Sequence, residues 1–174
     1  MWLTWANALT AVRALLAVPC ACLAAAGRWP FAALLLSVAI LSDLLDGPLA
    51  RRLRQSSSLG GLIDHATDAA FVTVLLGALW TLGYVPWLLP VLVAASFLQY
   101  VADSRALRGR SLRASWLGRC NGIGYFVLAS VVVYRNALGL HWPTDALLDA
   151  LAWLLVLSTV ASMLDRWRVW RTAE

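Results

Sequence analysis

The stretch DLLDGPLARRLRQSSSLGGLIDHATD, residues 43–68, joins two long apolar runs through a short polar segment rich in Arg and Ser. Asp43 and Asp46 close the first run, and Asp64 and Asp68 open the second. Their spacings of three and four residues put both members of each pair on one face of a helix. The stretch predicts two neighbouring helices that bring four carboxylates together.

The apolar runs continue on both sides of this stretch. The chain is 61% hydrophobic and 13% charged, whereas soluble proteins are about 25% charged. Six runs approach or reach the length needed to cross a bilayer, namely 9–26, 31–50, 62–82, 85–102, 121–139 and 146–164. The sequence therefore predicts an all-α polytopic membrane protein with six transmembrane helices in a single domain, residues 1–174.

The arginines predict the orientation. All 14 basic residues are Arg, and six crossings that start in the cytoplasm leave only Arg28 and Arg135 on the far side. Both termini are therefore predicted to be cytoplasmic, and residues 1–10, which are weakly amphipathic, are expected to form an interfacial helix along the membrane surface. The arginines lie between apolar runs rather than along one polar face, which argues against nucleic-acid binding.

Four carboxylates near one membrane edge need compensation, because they repel one another and are costly to embed. Mg²⁺ or Mn²⁺ accepts oxygen ligands, and two helices with two carboxylates each could hold a pair of these ions. One alternative is that the carboxylates only contact water and the neighbouring arginines. Another is an ion-coupled transporter, which would distribute its carboxylates through the bilayer depth rather than at one edge.

The spacing of the stretch resembles the signature of the CDP-alcohol phosphotransferases, D-x2-D-G-x2-A-R-x8-G-x3-D-x3-D, at all eight fixed positions. The resemblance implies phospholipid biosynthesis, in which a phosphatidyl group passes from CDP-diacylglycerol to an alcohol and CMP is released. It also implies a site on the cytoplasmic side of a bacterial inner membrane, and relatives are commonly homodimers.

The resemblance also assigns roles to residues. The implied metal ligands are Asp43, Asp46, Asp64 and Asp68, and Asp68 is also the implied catalytic base. The implied CDP-binding residues are Asp43, Gly47, Ala50, Arg51, Gly60 and Asp64. Gly47 would let the nucleotide approach the backbone, Arg51 offers a fork of donors to a phosphate, and Gly60 would give the loop a permissive point. For His65 we favour a role as a helix neighbour over metal ligation.

A second segment, Asn7-Ala-Leu-Thr10-Ala-Val-Arg13, resembles the N-x-L-T-x2-R segment of several bacterial branches, including phosphatidylglycerophosphate synthases. Arg13 could face headgroup phosphates or could simply set the topology, and the sequence leaves both open.

The loop from Asp103 to Arg119 supplies candidate residues for binding the acceptor or its phosphate, namely Arg105, Arg113 and Arg119. Gly118-Arg119 resembles a Gly-Lys pair of relatives with phosphorylated acceptors, but Cys120-Asn121 departs from the pattern of typical phosphatidylglycerophosphate synthases. Glycerol 3-phosphate is the leading acceptor, and inositol phosphate, serine and phosphatidylglycerol stay open.

Overall fold

Six α-helices and no strand make up the part of the chain that the computed structural model describes, residues 5–52, 58–103 and 116–172. Side chains are described for residues 9–44, 60–102 and 116–168. Each predicted apolar run overlaps one helix, so the all-α prediction is confirmed. The helices are α1 (Trp5–Ala25), α2 (Trp29–Arg52), α3 (Ser58–Thr81), α4 (Leu88–Asp103), α5 (Trp116–Ala137) and α6 (Asp145–Thr172).

Three of the described helices are long and apolar enough to cross a membrane, over Gly60–Thr81, Trp116–Ala137 and Asp145–Arg168. Their membrane-crossing length supports an integral membrane protein. Shorter apolar helical segments cover Leu9–Ala25, Trp29–Leu44 and Leu88–Ala102. Six crossings and cytoplasmic termini stay predictions.

The helices extend beyond the apolar runs, which corrects three expectations. Gly60 lies in the first turn of α3 and not in a loop, and Trp116 to Arg119 belong to α5. Of the expected interfacial helix, residues 5–10 are the first turns of α1 rather than a separate helix, and residues 1–4 lie outside the described residues. The reason is that helical hydrogen bonding continues through polar residues at the membrane edge, where apolar periodicity no longer marks the helix.

Small residues let α1 approach its neighbours closely. Ala17, Cys20 and Ala24 of α1 and Ala32 and Ala39 of α2 are buried in one core, as is usual where membrane helices pack closely. The third helix of this group, α3, also packs against α1. The remaining contacts join α4 to α3 and α6, and α5 to α2, α3 and α6.

One end of the bundle is closed by three similar turns. After α1, α3 and α5 the chain passes through Gly27, Gly83 and Gly139 with φ of 68°, 80° and 63°. The amide after each glycine bonds to a carbonyl five residues back, as in Arg28 N to Leu23 O at 2.8 Å. These are Schellman caps, whose left-handed position favours glycine.

The same end holds a buried arginine, Arg135. Its Nη1 donates to the Pro143 carbonyl at 2.7 Å, and its Nη2 donates to Asp145 Oδ1 at 2.6 Å. The guanidinium carbon lies 5.4 Å from the centre of the Tyr84 ring, a cation–π distance. The α5–α6 turn is thereby tied to the end of α3.

Candidate active site

The aspartates gather at the opposite end of the bundle, where α2 ends and α3 begins. Asp64 and Asp68 are one helical turn apart on α3 and point to the same side, as their spacing predicts. Asp43, in the second half of α2, faces them across the helix pair. Three of the four predicted carboxylates therefore converge, and the side chain of Asp46 lies outside the described residues.

Arg13 of α1 lies at the point where these carboxylates meet. Its Nη1 is 2.9 Å from Asp64 Oδ1 and also donates to Asp68 Oδ1, and its Nη2 is 3.0 Å from Asp43 Oδ1. The Arg13 side chain is 0% exposed, whereas those of Asp43, Asp64 and Asp68 are 50%, 35% and 29% exposed. The guanidinium thus lies behind a partly open layer of carboxylates.

Helical phase explains why Arg13 points inward. Thr10, Arg13, Ala17, Cys20 and Ala24 are all buried and recur at three- and four-residue spacing, so they form the face of α1 that packs on α2 and α3. A charge on such a face must find opposite charges, because burying it alone is very costly. From the sequence we considered two roles for Arg13, setting the topology and binding headgroup phosphates. Neither role included these ion pairs.

His65 and Tyr100 stand beside the carboxylates. Their rings meet edge to face with centroids 6.0 Å apart. Potential ligand atoms of Asp64, His65 and Asp68 lie within 4.8 Å of one another. The imidazole therefore joins the candidate donor set, although the sequence favoured a role for His65 as a helix neighbour.

The donor set fits a hard divalent cation. Carboxylate oxygens are the ligands that Mg²⁺ and Mn²⁺ prefer, and an imidazole nitrogen is compatible with Mn²⁺. Asp43, Asp64 and Asp68 already converge on one positive group, so their arrangement is suited to a cation. Among the described side chains at this point, three carboxylates face the one guanidinium of Arg13, which leaves two negative charges in excess.

A cavity of about 630 Å³ opens next to the aspartates, between α2, α3, α4, α5 and α6. Its wall includes the acidic residues Asp43 and Asp68, the imidazole of His65 and the basic residues Arg119 and Arg166. Most of the remaining wall is apolar, including Ile40, Val72, Val93, Phe97 and Phe126. The cavity can therefore receive a molecule with both a charged headgroup and an apolar portion.

The two cavity arginines come from different helices. Arg119 lies in the first turn of α5, and Arg166 lies near the end of α6. Arg166 Nη1 is 3.4 Å from the Ser96 carbonyl, and its guanidinium carbon is 5.6 Å from the Tyr100 ring centre. Guanidinium groups at this position can bind a phosphate through paired donors.

Comparison with known proteins identifies the family. The chain matches the family model for CDP-alcohol phosphatidyltransferase over residues 3–170. The chain belongs to the CDP-alcohol phosphatidyltransferase family. The resemblance inferred from residues 43–68 is confirmed, and so is the assignment to a family of phosphatidyltransferase enzymes rather than to transporters.

Curated members of the CDP-alcohol phosphatidyltransferase family share parts of this sequence. The protein named "Cardiolipin synthase (CMP-forming)" of Streptomyces coelicolor is 45% identical over 65 residues, which cover 37% of this chain and 30% of the relative. The protein named "Putative cardiolipin synthase" of Mycobacterium bovis is 33% identical over 105 residues, covering 59% of this chain and 49% of the relative. The matches thus span less than half the length of these relatives.

The structure describes the side chains of some of the predicted site residues and not of others. It brings together Asp43, Asp64 and Asp68, and it puts Arg119 on the wall of the adjoining cavity. The backbone of α2 and α3 contains Asp46, Gly47, Ala50, Arg51 and Gly60, but the side chains of Asp46, Ala50 and Arg51 lie outside the described residues. Arg105 and Arg113 also lie outside them.

Arg166 was not among the residues predicted for the site, and the structure puts it on the cavity wall. Arg13 was missed as a partner of the aspartates. The helical spacing of Arg13 with the small buried residues of α1 could have indicated that it points into the bundle. The sequence around Arg166 contains no such pattern.

Proposed function

We propose that this protein transfers a phosphatidyl group from CDP-diacylglycerol to an alcohol acceptor and releases CMP, in phospholipid biosynthesis. The observation that carries the proposal is the convergence of Asp43, Asp64 and Asp68 beside a cavity lined by both charged and apolar side chains. Family membership supports the reaction class.

The residues divide into three proposed roles. Asp43, Asp46, Asp64 and Asp68 would hold Mg²⁺ or Mn²⁺, with two ions expected, and when bound the cations would neutralise the pyrophosphate and the leaving CMP. Asp68 accepts the proton of the acceptor hydroxyl, which attacks the lipid-side phosphorus. The residues proposed to bind the CDP group are Asp43, Gly47, Ala50, Arg51, Gly60 and Asp64.

The membrane arrangement is part of the proposal. All six helices cross the bilayer within one domain, residues 1–174, with both termini and the aspartates on the cytoplasmic side of a bacterial inner membrane. The asymmetric distribution of arginines supports this orientation. The test is a set of reporter fusions, in which a cytoplasmic signal from a fusion after Gly83 would contradict six crossings.

The acceptor is proposed to carry a glycerol headgroup next to a phosphate. Glycerol 3-phosphate and phosphatidylglycerol both have this chemistry. Arg119 and Arg166 line the cavity and would bind the phosphate of either, with Arg105 and Arg113 as further candidates. The names of the relatives and the mostly apolar cavity favour phosphatidylglycerol, because its acyl chains need apolar surface. Inositol phosphate and serine would gain less from that surface.

The experiment is an acceptor screen with purified protein, radiolabelled CDP-diacylglycerol and Mg²⁺ or Mn²⁺. We expect a labelled lipid with the mobility of cardiolipin when phosphatidylglycerol is supplied, together with CMP. A product only with glycerol 3-phosphate would reassign the acceptor, and no labelled product with any alcohol would contradict the proposed function. The Asp149→Asn variant, altered at an exposed position of α6, serves as the control with an unaltered site.

The expected homodimer is tested on the same preparation by crosslinking in detergent. A dimer band at low protein-to-detergent ratio would support it, and a monomer at every ratio would contradict it.

A further inference from the structure

Arg13 contacts one oxygen of each of three carboxylates that are proposed to hold a divalent cation. Each of its three described ion pairs is made to an Oδ1 oxygen, of Asp43, Asp64 and Asp68. A carboxylate oxygen that accepts from a guanidinium has one lone pair fewer to offer a metal, and a cation bound beside it repels the guanidinium. The guanidinium and the cation therefore compete for at least part of the same ligand set.

The charges at this point favour an exchange rather than a permanent pairing. Three carboxylates face one guanidinium, which leaves two negative charges in excess among the described side chains. These carboxylates remain 29–50% exposed, so a cation can reach them, and Asp43 and Asp68 also line the cavity. The two positive charges of a divalent cation would balance this excess, whereas the single charge of the guanidinium does not.

Burial makes Arg13 important to the metal-free protein. Its side chain is 0% exposed and sits between three helices, so it can hold the carboxylates together against their mutual repulsion. Removing its charge leaves three carboxylates facing one another. Such a cluster binds a cation more strongly, because the cation no longer displaces a competing positive group.

We infer that Arg13 is an exchangeable counter-cation: it pairs with Asp43, Asp64 and Asp68 in the metal-free protein and yields their oxygens when a divalent cation binds. Arg13 is thus a positioning residue that sets the affinity of the site for metal. The inference rests on the proposed metal-dependent function and adds to it a residue outside the 43–68 motif.

The test measures Mn²⁺ binding to the full-length protein in detergent by electron paramagnetic resonance, which needs no turnover. The variants are Arg13→Met, Arg13→Lys and, as the matched control, Arg135→Met. Arg135 is also a buried, ion-paired arginine, but it lies at the other end of the bundle. We expect Arg13→Met to bind Mn²⁺ about tenfold more tightly than the wild type. The loss of one hydrogen bond between charged groups changes an equilibrium constant by about this factor.

Arg13→Lys should fall between Arg13→Met and the wild type, because a compact ammonium cannot span three carboxylates as a planar fork does. Arg135→Met should bind Mn²⁺ like the wild type. Thermal melting gives a second readout, in which Arg13→Met melts below the wild type in chelator and gains more from added Mn²⁺.

Equal Mn²⁺ affinity in the wild type and Arg13→Met would overturn the inference and leave the proposed function intact. Weaker binding in both Arg13 variants, with Arg135→Met unchanged, would make Arg13 a fixed support and would also overturn it. If Arg13→Met does not fold, Arg13→Lys decides, because an affinity equal to or below the wild type contradicts exchange. Absence of Mn²⁺ binding in all four proteins would instead reject the metal site itself.

Discussion

The bundle buries two arginines, and their surroundings differ in one decisive respect. Arg135 is matched by one carboxylate, one backbone carbonyl and one aromatic ring, so its charge is balanced within the fold. Arg13 faces three carboxylates at once. A balanced pair is sufficient to join helices, whereas an excess of negative charge needs a further positive ligand. Charge balance therefore distinguishes the Arg135 end of the bundle from the end where the chemistry is proposed to occur.

The largest change in activity is expected when the metal is removed, and this experiment tests the difference between the two ends of the bundle most directly. Chelation with EDTA should abolish transfer from CDP-diacylglycerol, and Mg²⁺ or Mn²⁺ should restore it, because the excess carboxylates cannot accept a pyrophosphate without cations. The measurement is release of radiolabelled CMP. Full activity in chelator would remove the functional distinction between the two ends.

The next largest loss of activity is expected when the clustered aspartates are replaced by Asn. Asp145, which pairs with Arg135, should not show this loss. Asp68→Asn should lower turnover by about 10²–10⁴-fold while keeping much of the CDP affinity, since the amide offers an oxygen but accepts no proton at neutral pH. Asp43→Asn and Asp64→Asn should lose CDP affinity as well.

The control for this series is Asp145→Asn, whose activity should stay near that of the wild type because its ion pair lies at the other end. Turnover and isothermal titration with CDP are compared for each variant. Near-wild-type turnover in Asp68→Asn would rule out its role as base, and equal loss of CDP binding in all three aspartate variants would make Asp68 one more metal ligand.

A smaller effect is expected from Arg166, on the cavity wall. Arg166→Gln should raise the KM for a phosphate-bearing acceptor about tenfold with little change in kcat, because it removes binding energy common to ground and transition states. Arg168→Gln is the matched control, since this exposed side chain lies two residues further along α6 and outside the cavity. The same KM in Arg166→Gln and the wild type would exclude Arg166 from the acceptor site.

The smallest effect on activity is expected at the balanced end. Arg135→Met should retain transfer activity at moderate temperature but lose about 1.5–3 kcal/mol of stability, because hydrogen bonds from a charged group disappear. Thermal melting in detergent measures the loss, with Arg28→Met in the neighbouring exposed turn as the control. A folded Arg135→Met protein as inactive as Asp68→Asn would contradict the division of roles.

Much of the end that holds the aspartates could be predicted, because its information is local in sequence. Asp64 and Asp68 share a helix, and Asp43 lies on the helix just before it, so spacing and a single helix-to-helix connection bring them together. The number of helices also followed from the apolar runs, because each run needs one buried or lipid-facing helix.

The missed residues depend on contacts that spacing does not encode. Arg13 meets Asp64 and Asp68 across 51 and 55 residues, and that meeting depends on how α1 packs against α3. Arg166 reaches the cavity only because α6 packs against α4, next to Ser96. Helix ends were misjudged at Gly60 and Trp116 because hydrophobicity reports the surroundings of a helix rather than its hydrogen bonds.

The glycine caps have a consequence for how the chain enters a membrane. On the proposed topology, the turns at 26–28, 82–87 and 138–144 are the tips that must be translocated, and Arg28 is their only Arg, Lys, Asp or Glu. The Schellman bonds at Gly27, Gly83 and Gly139 satisfy backbone carbonyls that would otherwise be dehydrated during passage. On that topology each pair of helices would insert as a hairpin, and its glycine cap would satisfy the tip before the fold is complete.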